Sequence, residues 1–260
     1  MKLSELKKIF LLGILIISLA GCGDNSTGPE PEVGTPPAFP ELEKSQPDLS
    51  YFEKNPTSSE NSNFLQAKTL VSQGSSFLFI SSAYDGFIGA ARDEDASFEG
   101  GVWYWNYSTQ YQGTEAEMTL TAGELDDAIE WTLTTSFDNS QGNRIKDYRL
   151  FEGTITPDGN SGNWMFNVRT TESQEEIPAV ITSWQITDET QKTITAEVYF
   201  EGELFGIINF EKDLPEYTMT ADLGSGEVII FWNAETNAGF IDGGAQRNCW
   251  GVNFENVPCS

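Results

Sequence analysis

The chain has 260 residues, of which 40 are acidic and 14 basic, a formal net charge of −26, and it contains no histidine. So acidic a surface repels nucleic-acid phosphates and anionic headgroups, so no nucleic-acid partner is expected. The missing imidazole removes Ser-His-Asp and Cys-His machinery, the commonest general base and the commonest zinc ligand.

Lys2, Lys7 and Lys8 precede an uncharged apolar run, Ile9–Ala20. A basic start followed by an apolar stretch reads as a signal peptide. The run is well short of the roughly 20 residues a spanning helix needs. It ends in Leu19-Ala20-Gly21-Cys22, which resembles the lipobox of bacterial lipoproteins. The resemblance covers Met1–Cys22 alone. It implies that residues 1–21 are removed, that the Cys22 thiolate takes a diacylglycerol on sulfur, and that the new amino terminus receives a fatty acyl chain. It also implies an extracytoplasmic, membrane-anchored protein of the bacterial cell envelope, with the outer membrane the expected one. Two or three acyl chains make such attachment durable, whereas one holds only marginally. No other cofactor and no metal is expected.

Residues 22–62 carry Pro29, Pro31, Pro36, Pro37, Pro40, Pro47 and Pro56 among Glu, Asp, Ser and Asn, without an apolar period. Composition of this kind buries too little surface to offset its ordering entropy, and the segment is expected to be a disordered tether. A single domain is expected over 63–260.

Asn63 and Gln66 form a capping pair at the start of a helical segment over 63–92. Phe64, Ala67, Val71, Gly74, Phe77, Ser81, Tyr84, Ile88 and Ala91 recur at three- and four-residue spacing. Gly74 or Gly86 is the expected break, and a short strand over 77–80 is the alternative.

Beyond the acidic turn Asp93–Asp95 the apolar period drops to two. Trp103, Trp105 and Tyr107 share a face, as do Ile129, Trp131 and Leu133; Trp164, Phe166 and Val168; Val180, Trp184 and Ile186; Ile194, Val198 and Phe200; Val228, Ile230 and Trp232; and Trp250, Val252 and Phe254. Polar neighbours on the other side indicate antiparallel sheet with one buried face. Turn residues separate the runs at Pro157–Asn160, Asp188–Lys192, Glu201-Gly202, Asp213–Pro215, Gly224–Gly226 and Asp242–Gly244. The fold class expected is mainly β: an up-and-down antiparallel meander of about eleven strands over 101–256, closed or nearly closed into a barrel, preceded by the helical segment. Closure would manage the edge strands. The helix either fills the barrel or covers it from outside, where Phe205, Ile207, Ile229 and Phe231 make a second face apolar.

All seven tryptophans, Trp103, Trp105, Trp131, Trp164, Trp184, Trp232 and Trp250, fall on the first apolar face and are the candidate lining of the interior. With Cys22 acylated, Cys249 and Cys259 form an even pair in an oxidising compartment, so a disulfide is expected, with two free buried thiols as the alternative. Glu124–Glu130 superficially resembles the Glu-x-Asp-x-(x)-Glu strand of laminarinase-like glycosidases, but its last Glu is one residue too far and Ala122-Gly123 and Asp127 suggest a turn. Asp158–Asn163 suits a hairpin turn better than a calcium loop, because the spaced oxygens and terminal Glu of such a loop are missing.

The leading expectation is a non-enzymatic lipoprotein whose barrel binds an apolar small molecule or acyl chain. A structural or protein-interaction module with a self-filled core is the alternative, and a glycan-binding or glycan-cleaving surface protein the third. Partners are therefore the membrane, through the anchor, and either an apolar ligand or another envelope protein.

Overall fold

A computed structural model describes residues 34–55, 62–111, 113–138, 142–169, 176–224 and 226–259. Cys22 and the signal segment lie outside them, and the packed unit begins at Pro36. After five helical pieces the described chain forms fourteen strands: β1 (Ser97–Glu99), β2 (Val102–Tyr111), β3 (Thr114–Glu124), β4 (Ile129–Asp138), β5 (Arg144–Ile155), β6 (Ser161–Arg169), β7 (Glu176–Ile186), β8 (Gln191–Phe200), β9 (Glu203–Asp213), β10 (Glu216–Asp222), β11 (Glu227–Asn233), β12 (Gly239–Asp242), β13 (Arg247–Trp250) and β14 (Asn256–Val257). They lie in one antiparallel sheet in sequence order, each pairing with the next. Consecutive pairing follows from the connections, since tight turns permit hairpins and crossovers need a dozen or more residues.

Alternation assigns one face of this sheet to the core, and register decides how that face packs. One cross-strand row reads Trp103, Ala122, Trp131, Gly153, Trp164, Thr182, Ala196 and Ile208. A second row reads Tyr217, Trp232, Gly239 and Trp250. Small residues thus sit beside the indoles, and each indole lies over a neighbour that leaves it room. A Cβ on Gly153 would stand 2.0 Å from the Asn163 carbonyl oxygen and 2.7 Å from the Trp164 ring; one on Gly239 would stand 2.3 Å from both the Phe231 carbonyl oxygen and the Trp250 ring. These contacts engage backbone, so neither glycine can gain a side chain without moving its strand.

The helical pieces cover this tryptophan face. The sheet's turns fall at two ends; those after β1, β3, β5, β7, β9 and β11 share the near end. Along it runs a strap made of a 3-10 turn, Leu42–Ser45, and a short helix, α1 (Ser50–Lys54). Phe39 rests on Trp105 and Trp131 with ring centroids 5.0 and 5.9 Å apart. Lys44 Nζ donates to the Asp158 carbonyl at 2.8 Å, Lys192 Nζ to the Gln46 carbonyl at 2.6 Å, and the Tyr51 hydroxyl to the Asn237 carbonyl at 2.9 Å. Leu42, Tyr51 and Phe52 are buried. The chain then returns through α2 (Asn63–Leu78), a 3-10 turn Ile80–Tyr84, and α3 (Asp85–Ala91). Helix α2 packs on β8, β9, β12 and β13, and α3 on β2. In between, Tyr84 lies 5.4 Å from Phe151 and 4.9 Å from Phe166.

Several expectations change. The sheet is open and has fourteen strands, against about eleven in a closed or nearly closed barrel. The uncounted strands are short, β1 having three residues and β14 two, too few backbone groups to form a seam, and the helical layer buries the apolar face without closure. The tether expected over 22–62 is not disordered throughout: residues 36–55 are packed, because Phe39, Leu42, Tyr51 and Phe52 insert into the tryptophan layer. The helix cap is Ser62, whose hydroxyl accepts from the Leu65 amide at 3.0 Å. Gly74 lies inside an unbroken α2 and provides close approach, since a Cβ there would meet Met219 Cε at 2.4 Å. The break falls at Phe79 instead, and no strand forms over 77–80. As for the helix, it covers an open sheet on the tryptophan side and leaves the second face with Ile207, Ile229 and Phe231 uncovered.

Candidate functional site

The seven tryptophans are brought together as expected, but as core. None is more than 7% exposed. Trp105 stacks on Trp131 at 5.7 Å, Trp164 on Trp184 at 6.1 Å, and Trp232 on Tyr217 at 5.2 Å. Trp103 meets Phe98 at 4.8 Å, and Trp250 meets Phe64 at 5.8 Å. Two indoles are fixed by hydrogen bonds, Trp184 Nε1 to the Gly159 carbonyl at 3.1 Å and Trp250 Nε1 to the Asn237 carbonyl at 3.0 Å. The rings that cover this face come from residues 39–87 of the same chain, with Phe254 beside Phe64.

Where the strap crosses the near end it leaves a cleft of about 100 Å³, lined by Phe39, Ile129, Trp131, Ile155 and Trp184 with Lys44 and Asp158 at its polar side. Small-molecule sites are typically about 300–1,000 Å³, so this cleft is well below the usual size. Lys192, on the covered face of β8, is pushed down to about 8 by burial, with the nearby Lys212 adding to the effect and Asp48 opposing it. Burial also pushes the Tyr51 and Tyr84 phenols up to about 12 and raises Tyr107. These are the signatures of packed polar groups whose charged forms are disfavoured.

The carboxylates of 124–130 do not converge. Glu124 pairs with Ile129 and Gly123 with Glu130, so Leu125–Ala128 is a tight turn with its acids in solvent. Asp158 likewise caps its own turn, accepting from Thr156 Oγ1 at 2.7 Å and the Asn160 amide at 3.0 Å. No group of three or more acidic or cysteine side chains able to share a metal occurs among the described residues. Cys249 and Cys259 are disulfide-bonded, their Cα atoms 5.3 Å apart. The bond ties the C-terminal segment to β13 beyond the two-residue edge strand.

One feature of the surface was not singled out in the sequence. At the far end, the β7–β8 ladder reaches only Val180–Val198 and the β9–β10 ladder only Ile207–Asp222. Residues Tyr199–Gly206 therefore pair only within their own hairpin. Its tip exposes Phe200 (65%), Leu204 (53%) and Phe205 (51%). Phe200 belongs by alternation with Ile194 and Val198, yet it extends past the helical cover. Val168 is exposed for a different reason: a register shift between Phe166 and Asn167 buries Asn167 and turns Val168 outward. Val252, expected beside Trp250, falls in the turn after β13 and is exposed.

No protein-family model, curated protein or solved structure matches this chain.

Proposed function

We propose that this chain is a lipid-anchored, non-enzymatic protein of the bacterial cell envelope, held through acylated Cys22, whose sheet domain serves as a structural or protein-interaction module. The observation that carries the choice is the occupied tryptophan face: the rings that would line an apolar ligand are packed against the chain's own Phe39, Tyr51, Phe52 and Phe64. What the domain offers to others is then its outer surface. That surface is acidic, and it carries the apolar hairpin tip between β8 and β9. The acidic charge argues against nucleic acid as a partner, and the lipobox-like Leu19-Ala20-Gly21-Cys22 would supply the membrane attachment.

Two measurements test this reading together. Metabolic labelling with a radioactive fatty acid should label the mature protein, and Cys22→Ser should abolish the label and leave an uncleaved precursor. Cross-linking in intact cells should join the domain to other envelope proteins. An unlabelled mature chain, or a domain that cross-links to nothing from any exposed site, contradicts it.

A further inference from the structure

We infer that the tip of the β8–β9 hairpin is the docking element of the domain, and that it inserts Phe200, Leu204 and Phe205 into an apolar pocket ringed by Lys or Arg on a partner protein. The inference deepens the interaction-module reading and rests on it.

Large apolar side chains exposed singly are ordinary, but three within six residues crowd one hairpin tip, Phe200 on one face and Leu204 on the other, and exposed apolar clusters of this kind mark interaction sites. Aromatic anchors that enter a pocket also supply most of the energy in protein interfaces. The tip is built to hold its shape. A Cβ on Gly206 would stand 2.3 Å from the Asp222 carbonyl oxygen, so β10 ends directly against β9 and fixes where the free portion begins. Glu201 and Gly202 adopt positive φ of 54° and 83° and turn the chain tightly.

Charge decides the occupant. Glu201 and Glu203 lie between Phe200 and Leu204 in sequence, and Glu197, Ile207, Asp222 and Glu227 form one cross-strand row. The sequence has no Lys or Arg between Thr193 and Glu211, nor between Asp213 and Gln246. Apolar side chains interleaved with carboxylates complement an apolar pocket edged by basic residues, and complementary charges steer encounter and reject like-charged surfaces. A second copy of this chain would oppose the same carboxylates, and an anionic bilayer would be repelled in the same way.

The test uses the mature chain and a defined probe, a synthetic peptide alternating Leu and Lys, with Leu/Glu and Ser/Lys peptides and neutral phosphatidylcholine vesicles for comparison. The Leu/Lys peptide should bind best and weaken as salt rises. Phe200→Ser with Leu204→Ser should lower its affinity at least about 30-fold, the scale of a hot-spot pair. Leu125→Ser, at an equally open turn on the near end, should leave it unchanged. These side chains are exposed, so the unfolding midpoints should coincide, and that comparison is made alongside. Equal binding of the Leu/Glu peptide, indifference to the tip substitutions, or capture by vesicles in preference to the peptides overturns the inference. Photo-cross-linkers placed at position 200 and, one at a time, at other exposed positions in intact cells separate its failure from that of the parent reading: products from the other positions but not from 200 reject the tip and keep the module, whereas none from any position rejects both.

Discussion

Replacing Phe52 by Ala probes the packing of the N-terminal strap most sharply. Phe52 is 3% exposed, and its ring lies 4.9 Å from Tyr51, 5.6 Å from Phe64 and 4.9 Å from Trp232. It therefore joins the strap, helix α2 and the sheet at one point. Truncating a fully packed phenylalanine removes its transfer energy and leaves a cavity, together about 3–5 kcal/mol. For a domain of this size each kilocalorie shifts the melting temperature by roughly 2–4 °C, so the loss should be on the order of 10 °C. Urea unfolding followed by tryptophan emission measures it directly, because Trp232 sits in the same contact. Glu53→Ala, next in the chain and exposed, should change stability by less than about 0.5 kcal/mol. If Phe52→Ala behaves like Glu53→Ala, residues 36–55 are a tether after all and the strap is not part of the fold.

Three further outcomes follow from other parts of the molecule. Gly153→Ala should destabilise by about 1–3 kcal/mol or more in the same assay, since the added Cβ meets the Asn163 carbonyl and the Trp164 ring; a neutral result would mean that the Trp131–Gly153–Trp164 row is loosely packed. Lys192 has its folded pKa depressed to about 8, so between pH 8 and about 10 the folded chain sheds a proton that the unfolded chain keeps, and stability should rise with pH in that window. Above it, Tyr51 and Tyr84, raised to about 12, reverse the slope; Lys192→Met should remove the rise, and urea midpoints at pH 7 and 9.5 that move equally in both proteins would refute the assignment. Cys249→Ser with Cys259→Ser, opening a ten-residue separation, should cost about 2–3 kcal/mol on the chain-entropy scale, and an unchanged midpoint would show that β13 and β14 are held without the bond.

Period and turn chemistry made most of the middle of this chain legible. The Phe64, Ala67, Val71 stripe became the buried face of α2, and the alternating tryptophans of β2, β4, β6, β7 and β11 became one core face, because both patterns are local and long enough to repeat. The strap was hidden for the opposite reason. Leu42, Tyr51 and Phe52 lie in pieces of four and five residues between prolines, too short to show a period, and their order comes from tertiary contacts alone. The short strands at both edges escaped for the same reason. Closure was not legible either, since it depends on how many backbone groups meet at the seam. The hairpin tip was misread because alternation placed Phe200 on the covered face; how far the helical layer reaches is not written in the strand itself.

The claim that the tryptophan face is filled by the chain itself is tested most directly by native mass spectrometry of the mature protein extracted gently from its membrane. The mass predicted is that of the polypeptide with its covalent acyl groups and nothing more. A stoichiometric non-covalent lipid, whose removal shifts the tryptophan emission, would contradict it.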